Sequence, residues 1–131
     1  MNEELIYRVW FATRQRTWLL QGYVEERIKT ILFEIAERNG FDLLALETMV
    51  DHVHLLIRLR QGQTLSGCEH RLKGASARRM FQELAELKLD AHSEHFWQKR
   101  FGSKLVTPQA VEAVRGYIET QKERPEKYVR C

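Results

Sequence analysis

Apolar residues recur with two different periods along the first sixty positions, and these periods predict a strand, a helix and a hairpin. Positions 5–13 and 52–60 alternate with the period of two that is typical of strands. Positions 21–38 repeat their apolar residues at helical spacing, and positions 41–49 are apolar and strand-like. The break at 50–51 lets the second strand turn back antiparallel onto the third. This order of elements indicates an α+β fold.

The second half of the chain is predicted to add two helices and one strand. They are a helix capped by Thr64 or Ser66 that runs to about Leu89, a strand over 94–106 with a bend at Gly102, and a helix that starts at Thr107 and Pro108 and runs to about Arg124. In the predicted strand, Phe96 and Trp97 stand close to Lys99 and Arg100. Such a pattern is typical of surfaces on which bases stack and phosphates are neutralised, but core aromatics next to a solvated surface give the same pattern.

Composition and charge narrow the class of protein without deciding its function. At 131 residues the chain has the length of one domain, and its 44% hydrophobic and 30% charged residues are those of a folded protein. The net charge of +3 permits a nucleic-acid partner but does not require one. No apolar run approaches the roughly 18 residues of a membrane span, and no signal-peptide pattern opens the chain, so we expect no membrane partner and a cytoplasmic protein. Cys68 and Cys131 fit neither a zinc spacing nor a disulfide framework, so we predict free thiols.

The two histidines of the third predicted strand are candidate metal ligands. Because strand side chains alternate between faces, His52 and His54 point the same way. Their Cα atoms would lie about 6.5 to 7 Å apart, and from that separation two imidazole rings can bind one cation. Two half-buried imidazoles that are satisfied by backbone groups would have the same spacing, so the pair by itself leaves the metal site open.

A tyrosine and an amide on the last predicted helix are candidate partners of this histidine pair. Tyr117 and Gln121 are four residues apart, so a helix places one above the other beside the apolar stripe of Val111, Val114 and Ile118. A nucleophile and a metal-binding amide could therefore be delivered together. A tyrosine at the edge of an apolar stripe is also a common packing residue.

Six cations are candidate contacts to a nucleic-acid backbone. They follow the first strand or lie near the start of the second predicted helix: Arg14, Arg16, Arg71, Lys73, Arg78 and Arg79. Charge alone selects them, and a solvated loop or helix face would carry the same residues.

Five short blocks, in this order, resemble the single-tyrosine HUH transposases of bacterial insertion sequences, the TnpA type, where HUH denotes His, a hydrophobic residue and His. The blocks are Val-Trp at 9–10, Asp-His-Val-His-Leu-Leu-Ile at 51–57, Leu-Lys-Gly-Ala-Ser-Ala-Arg-Arg-Met-Phe at 72–81, Phe-Trp at 96–97 and Tyr-Ile-Glu-Thr-Gln at 117–121. The likeness covers nearly the whole chain, and the combination is far more specific than any one block. On this resemblance, residues 1–131 form one single-tyrosine HUH transposase domain.

The resemblance implies a ferredoxin-like or RRM-like fold, in which an antiparallel sheet is backed by helices. It implies that His52, His54 and Gln121 bind a divalent metal, Mg²⁺ or Mn²⁺, and that Tyr117 is the catalytic nucleophile. The expected reaction is the cleavage and rejoining of single-stranded DNA at insertion-sequence ends through a 5′-phosphotyrosine intermediate. The expected substrate carries hairpins near the element ends, and the expected assembly is a homodimer with composite active sites.

Two departures from the family pattern and three alternative functions accompany this prediction. Gly116, directly before Tyr117, is a poor helix former, and 102–107 lack the glycine-rich, aromatic character expected of the loop that leads into the tyrosine helix. A domesticated REP-associated tyrosine transposase would carry the same residues. A non-catalytic single-stranded nucleic-acid binder of the same fold would not depend on Tyr117. A metal-dependent phosphoesterase that uses His52 and His54 with water as the nucleophile would form no covalent DNA adduct.

Overall fold

The computed structural model describes residues 5–90 and 95–121. Its strands are β1 (Leu5–Ala12), β2 (Asp42–Met49), β3 (His52–Leu59) and β4 (Gly102–Val106). Its helices are α1 (Gly22–Asn39), α2 (Leu65–Glu83), α3 (Leu87–Asp90) and α4 (Val111–Glu119), and short 3-10 turns occupy Arg14–Arg16 and Pro108–Ala110.

The four strands form one antiparallel sheet in the order β2-β3-β1-β4. β1 pairs with both β3 and β4, so the first strand lies inside the sheet. The β2-β3 hairpin turns at 50–51 as predicted, and its register shifts once between Leu43 and Ala45. A β-α-β-β-α-β chain order with this strand order is the ferredoxin-like α+β fold that the resemblance implies.

The two faces of the sheet carry separate hydrophobic cores. α1 and α2 cover the face on which Val9 is buried, and this core is the larger one. α4 covers the other face, where Ile118 and Leu56 are both fully buried. Because strand side chains alternate, His52 and His54 lie on the same face as Leu56. The candidate ligands and the tyrosine helix therefore share one side of the sheet.

Local chemistry sets the ends of the two long helices. α1 ends at Gly40, whose φ of 73° is the left-handed conformation that glycine adopts without a Cβ clash. The Gly40 N–H donates to the carbonyls of Ala36 and Glu37, which closes the helix. Of the two predicted caps of α2, Thr64 is the one used, since its hydroxyl accepts a hydrogen bond from the Gly67 amide at 3.0 Å.

The prediction of one continuous helix running to about Leu89 was wrong. α2 ends at Glu83, Leu84 has a φ of −135° and a ψ of 81°, and a single turn, α3, follows. The break redirects the chain so that Leu87 is buried in the larger core. Burial of such a side chain stabilises the fold by about 2 kcal/mol, which offsets the loss of helical hydrogen bonds at the break.

The predicted strand over 94–106 was too long. β4 begins only at Gly102, and the described residues before it, 95–101, form no continuous strand. Glu94, the predicted start, lies outside the described residues. A regular strand sends neighbouring side chains to opposite faces, whereas Phe96 and Trp97 are neighbours that both point into the core.

Of the two interpretations that the sequence left open for Phe96 and Trp97, the structure supports core aromatics and not a base-stacking surface. They are only 1% and 5% exposed. The ring of Trp97 meets that of Phe11 edge-on with 4.8 Å between the centroids, and Trp97 Nε1 donates to Ser76 Oγ at 2.9 Å. The basic residues Lys99 and Arg100 remain exposed beside them.

None of the helices in the described ranges is long and apolar enough to cross a bilayer. Cys68 of α2 is a free thiol, as predicted, and its burial raises the pKa of that thiol. Cys131 lies outside the described residues.

Candidate active site

The two histidines lie side by side at the start of β3. His54 is opposite Trp10 of β1, and His52 is opposite Ala12. The centroids of the two imidazole rings are 4.9 Å apart, with an angle of 80° between the ring planes. The predicted placement of both rings on one face is therefore confirmed.

Asp51 fixes the orientation of the first histidine. Asp51 Oδ1 lies 2.7 Å from His52 Nδ1, a distance at which the imidazole donates to the carboxylate. Arg16 Nη2 is also 3.3 Å from His52 Nδ1, but the shorter contact to an anion decides the tautomer. This contact favours the tautomer with a proton on Nδ1, in which Nε2 is the nitrogen that would bind a metal. A carboxylate behind an imidazole in this way orients and strengthens a metal-binding histidine.

Asp51 is itself buried and is held as a carboxylate. Burial alone would raise the pKa of Asp51, but hydrogen bonds from His52 and Arg16 outweigh that effect and hold the pKa below its ordinary value. Arg16 Nε donates to Asp51 Oδ2 at 3.0 Å. The sequence predicts Asp51 as part of the hairpin turn and of the 51–57 block but assigns it no role, although its position directly before His52 is a signal of one.

His54 is the more buried of the two histidines, and it is neutral. Its pKa is lowered to about 4, mainly because burial disfavours the charged ring and also because His52 and Arg8 repel a second positive charge. His54 Nδ1 is buried and has no hydrogen-bond partner among the described residues. A neutral imidazole with an unpaired nitrogen is in the protonation state that a metal ion requires.

α4 carries Tyr117 and ends shortly before Gln121. Its last residue is Glu119, and the Thr120 hydroxyl donates to the Gly116 carbonyl at 2.8 Å. Within the described residues the helix is therefore shorter than predicted, and Gln121 follows its end rather than lying within it. The predicted end of the helix at position 124 falls outside the described residues.

The predicted apolar stripe holds α4 on its own sheet. Ile118 is fully buried, and the half-buried Val111 and Val114 pack beside it. The sheet residues below them include Leu56, which is two positions after His54 on the same face of β3. α4 contacts both β2 and β3.

Gln121 is buried although it carries a polar amide. It is 5% exposed, and its Oε1 has no hydrogen-bond donor within the described part of the chain. A buried, unpaired amide oxygen costs about 1 to 3 kcal/mol, so such an atom is expected to have a partner in the working protein. A metal ion on the α4 face of the sheet would be such a partner.

The donor set fits a divalent metal. It would combine His52 Nε2, the ring nitrogen opposite the one that contacts Asp51, with His54 and with the amide oxygen of Gln121. Two nitrogens and one neutral oxygen suit cations such as Mn²⁺ and Mg²⁺, which complete their shells with phosphate oxygens and water. In 5–90 and 95–121, His, Cys, Asp and Glu side chains alone form no group of three that could hold a metal, so a metal site at the histidines would need a further ligand such as Gln121.

Arg8 is a site residue that the sequence did not single out. Its guanidinium carbon lies 5.0 Å from the ring centroid of Tyr117 and 5.4 Å from that of Trp10. The contact with Tyr117 joins α4 to β1 across the site. The available signal was the position of Arg8 in the first strand, on the same predicted face as Trp10.

The predicted DNA-binding cations fall into two groups. Arg14 and Arg16 lie in the turn after β1, and Arg16 is the partner of Asp51 described above. The other four belong to α2, which packs on the opposite face of the sheet from α4: Arg71, Lys73, Arg78 and Arg79. The structure therefore places only the first group next to the histidines.

Two of the α2 cations are engaged within the chain. Lys73 Nζ is 2.7 Å from Glu69 and also donates to the carbonyls of Gln98 and Arg100, at 2.6 and 2.9 Å. Arg79 pairs with Glu34 at 2.7 Å. Arg71 and Arg78 are exposed. As candidates for contacting DNA, all four remain predictions.

The sequence did not predict the groove that lies beside Arg14. Arg14, Lys99 and Arg100 line it together with Gln15 and Gln98. It forms because the Arg14 amide donates to the Phe96 carbonyl at 2.9 Å and the Gln98 amide donates to the Ala12 carbonyl at 2.9 Å. These bonds hold the 95–101 segment against the end of β1.

Known proteins with similar sequences are transposases. Residues 2–121 match the family described as "Transposase IS200 like". The chain is 33% identical over 121 residues to the ISDra2 transposase TnpA of Deinococcus radiodurans, covering 92% of this chain and 86% of that protein. It is 24% identical over 117 residues to the IS200 transposase of Salmonella typhimurium, covering 89% and 76% of the two chains.

Solved structures agree with this relationship. A crystal structure of a Deinococcus radiodurans chain described as a transposase superposes with a TM-score of 0.76 at 35% identity, covering 92% of this chain and 93% of that one. A REP-associated tyrosine transposase bound to a REP hairpin superposes with a TM-score of 0.69 over 92% of this chain and 67% of its own, and its 14% identity makes it a comparison of fold. With a family match that spans every described residue, the chain belongs to the IS200-like transposase family.

Proposed function

We propose that this protein cleaves and rejoins single-stranded DNA at insertion-sequence ends through a covalent 5′-phosphotyrosine, with a divalent metal at the histidine pair. The observation that carries the proposal is the pair of buried, unpaired ligand atoms, His54 Nδ1 and Gln121 Oε1. His54 lies on the sheet face that α4 covers, and Gln121 follows the end of α4, four residues after Tyr117. Membership of a transposase family supports strand cleavage and transfer as the reaction class.

Tyr117 is the proposed nucleophile. In the cleavage step a bond forms between Tyr117 Oη and phosphorus while the bond from phosphorus to the 3′ oxygen breaks. The phenol loses a proton and the departing 3′ oxygen gains one, so the products are a 5′-phosphotyrosine and a free 3′-hydroxyl. Because the covalent link keeps the energy of the phosphodiester, another 3′-hydroxyl can reverse the step and join new ends. No residue is assigned here as the general base.

His52, His54 and Gln121 are the proposed metal ligands. A Mg²⁺ or Mn²⁺ ion held by them would polarise the scissile phosphodiester and absorb negative charge that develops on its oxygens. Asp51 orients His52 through Nδ1, which leaves Nε2 as the nitrogen for the metal, and burial keeps His54 neutral. Both effects prepare the donors before DNA arrives.

The proposed DNA contacts are cations near the end of β1 and on α2. They comprise the six predicted residues Arg14, Arg16, Arg71, Lys73, Arg78 and Arg79. Arg14 has the strongest structural support among them, because it shares a groove with Lys99 and Arg100. Binding of a hairpin is proposed by analogy with the REP-associated protein, whose structure holds a REP hairpin. The cytoplasm, where such DNA is found, is the proposed location.

A homodimer with composite sites is the proposed assembly. α4 reaches the sheet through the connection 107–110, in which Thr107, Pro108 and Gln109 are exposed. Exchange of identical helices between two chains would keep every contact between α4 and the sheet and would change only this connection. The packing of Ile118 is therefore compatible with an exchanged helix.

The experiment that tests the function is capture of the covalent intermediate. Wild-type and Tyr117→Phe protein are incubated with 5′- or 3′-labelled single-stranded DNA from the flanks of its own gene, with Mg²⁺, Mn²⁺ or chelator, and resolved on denaturing gels. We expect a protein-linked band that carries the 3′ label, downstream of the cut. We expect none with chelator or with Tyr117→Phe, because the nucleophilic oxygen is then missing.

Tyr23→Phe is the matched control, since Tyr23 is exposed on α1, on the other side of the sheet. It should form as much adduct as the wild type. Cleavage without any adduct would move the assignment to a metal-dependent phosphoesterase. Tight binding with no cleavage under any metal condition would move it to a binding module.

A further inference from the structure

Arg8 lies between β1 and α4, with one nitrogen of its guanidinium group buried and unpaired within the described part of the chain. Its Nε is buried and has no hydrogen-bond partner among the described residues. Two other arginines on or next to the sheet are paired with carboxylates: Arg16 with Asp51, and Arg58 with Asp42 at 2.9 Å. A buried N–H group of a cation without an acceptor is costly, so Arg8 Nε is prepared for an anionic ligand.

Two aromatic rings position this guanidinium. Its central carbon lies 5.4 Å from the Trp10 ring centroid and 5.0 Å from the Tyr117 ring centroid. Trp10 lies close over the backbone of Gly102, where a Cβ atom would collide with the indole ring. Both aromatic contacts use ring faces, so neither satisfies the N–H groups of the guanidinium.

The strand register places Arg8 beside the ligands. Arg8 is opposite Leu56 of β3, and Trp10 is opposite His54, so Arg8 and His54 are diagonal neighbours on one face. Tyr117 approaches the same face from α4. The guanidinium therefore lies close to both the proposed nucleophile and one proposed metal ligand.

We propose that Arg8 is a further catalytic residue, whose guanidinium binds the non-bridging oxygens of the scissile phosphate. The inference rests on the proposed function and names one more group in the same site. Arginine presents its N–H groups in a planar fork that matches two phosphate oxygens. Arg8 stays protonated throughout: it transfers no proton, and it neutralises charge that builds up while the bond to Tyr117 Oη forms and the bond to the 3′ oxygen breaks.

The first test is a binding cycle between Arg8 and the charge of one phosphate. It uses the Tyr117→Phe protein, which keeps the ring but cannot react, in the presence of chelator. The DNA is an oligonucleotide whose cleavage position has been mapped with wild-type protein, with either the natural phosphate or a neutral methylphosphonate at that position. Methylphosphonate should weaken binding about tenfold when Arg8 is present and by less than about twofold in the Arg8→Gln variant.

The second test is the single-turnover rate of adduct formation. Arg8→Gln should slow it about 100-fold, and Arg8→Lys, which keeps the charge but loses the fork, should be intermediate. Lys104→Gln is the matched control, because Lys104 is exposed and is the cross-strand neighbour of Arg8 on β4. It should leave the rate within about twofold of the wild type.

The outcomes separate this inference from the proposed function. If methylphosphonate weakens binding equally with Arg8 present and with Arg8→Gln, the inference is overturned, even if Arg8→Gln forms adduct slowly. A packing role does not couple to the charge of one phosphate. A normal adduct rate in Arg8→Gln would also overturn it. Absence of an adduct with wild-type protein would instead overturn the proposed function, and this inference with it.

Discussion

At the scale of single residues, the contact between Asp51 and His52 has a direct consequence for metal affinity. We expect Asp51→Asn to lower the affinity for Mn²⁺ by about 10- to 100-fold, because an amide no longer fixes the proton on His52 Nδ1 or strengthens the ligand. Titration calorimetry of the purified protein with Mn²⁺ measures this change.

Arg16→Gln is the control for that experiment. Like Asp51→Asn, it removes the ion pair between Arg16 and Asp51, but it leaves the hydrogen bond between Asp51 and His52 in place. Its Mn²⁺ affinity should fall much less than that of Asp51→Asn. Equal losses in the two variants would mean that the ion pair, and not the orientation of His52, matters for the metal.

His54 gives the metal-free protein a defined pH dependence. Its pKa in the folded state is about 4, below the ordinary value of 6.5, so the unfolded chain binds the proton more readily. Stability therefore falls as pH drops from about 6.5 towards 4, and for this pair of pKa values the loss attributable to His54 at pH 5 is about 2 kcal/mol.

Urea unfolding at pH 7 and pH 5, in the presence of chelator, measures this loss. The comparison is with His54→Gln, which carries no titrating group at that position. The wild type should lose about 2 kcal/mol more than the variant between the two pH values. A wild-type protein that loses no more than the variant would mean that His54 is not held neutral by its surroundings.

At the scale of elements, two glycines beside the site are expected to respond oppositely to alanine. Gly116 lies within α4, and a Cβ added there would meet no atom within 4 Å. Gly116→Ala should raise the free energy of unfolding by about 0.5 to 1 kcal/mol, because alanine loses less backbone entropy in a helix.

Gly102→Ala, at the start of β4, should lower the free energy of unfolding by about 1 to 3 kcal/mol. Its Cβ would collide with the Trp10 ring, which would have to leave its place over the strand. Urea unfolding of both variants at pH 7 tests the pair. A destabilising Gly116→Ala would mean that α4 needs a glycine there for a conformation other than the helix described.

At the scale of the whole molecule, mixing two inactive variants distinguishes exchanged from unexchanged helices. His54→Ala lacks a ligand and Tyr117→Phe lacks the nucleophile, so each alone should form no adduct. In an equal mixture of exchanged dimers, half are heterodimers and each has one intact composite site, so adduct formation should recover to about one quarter of the wild-type level.

The adduct gel described for the wild type measures this recovery after the two proteins have been refolded together. The control is a mixture of Tyr117→Phe with the double variant His54→Ala, Tyr117→Phe, which has no intact tyrosine in any arrangement. Recovery in the first mixture alone supports composite sites. No recovery in either would mean that α4 completes the site of its own chain, where Ile118 packs in the structure.

Much of the fold could be predicted from the sequence because it depends on local periodicity. The period of two in 5–13 and the helical period in 21–38 gave β1 and α1 to within a residue or two, and Gly40 marked the end of α1. The prediction failed where tertiary burial decides. The single long helix breaks so that Leu87 reaches the core, and the strand before β4 is lost so that two neighbouring aromatics can both turn inward.

The candidate site likewise has features that follow from local periodicity and features that depend on tertiary burial. The sequence by itself determined that the two histidines share a strand face, since alternation is a property of the backbone, and that Tyr117 precedes Gln121 by one helical turn. Only the tertiary structure decided that Asp51 supports His52, and that Gln121 Oε1 and Arg8 Nε are buried without a hydrogen-bond partner in the described part of the chain. Each of these depends on which residues meet across separate elements, and the free energy of burying a charge or an amide is set by that environment rather than by spacing along the chain.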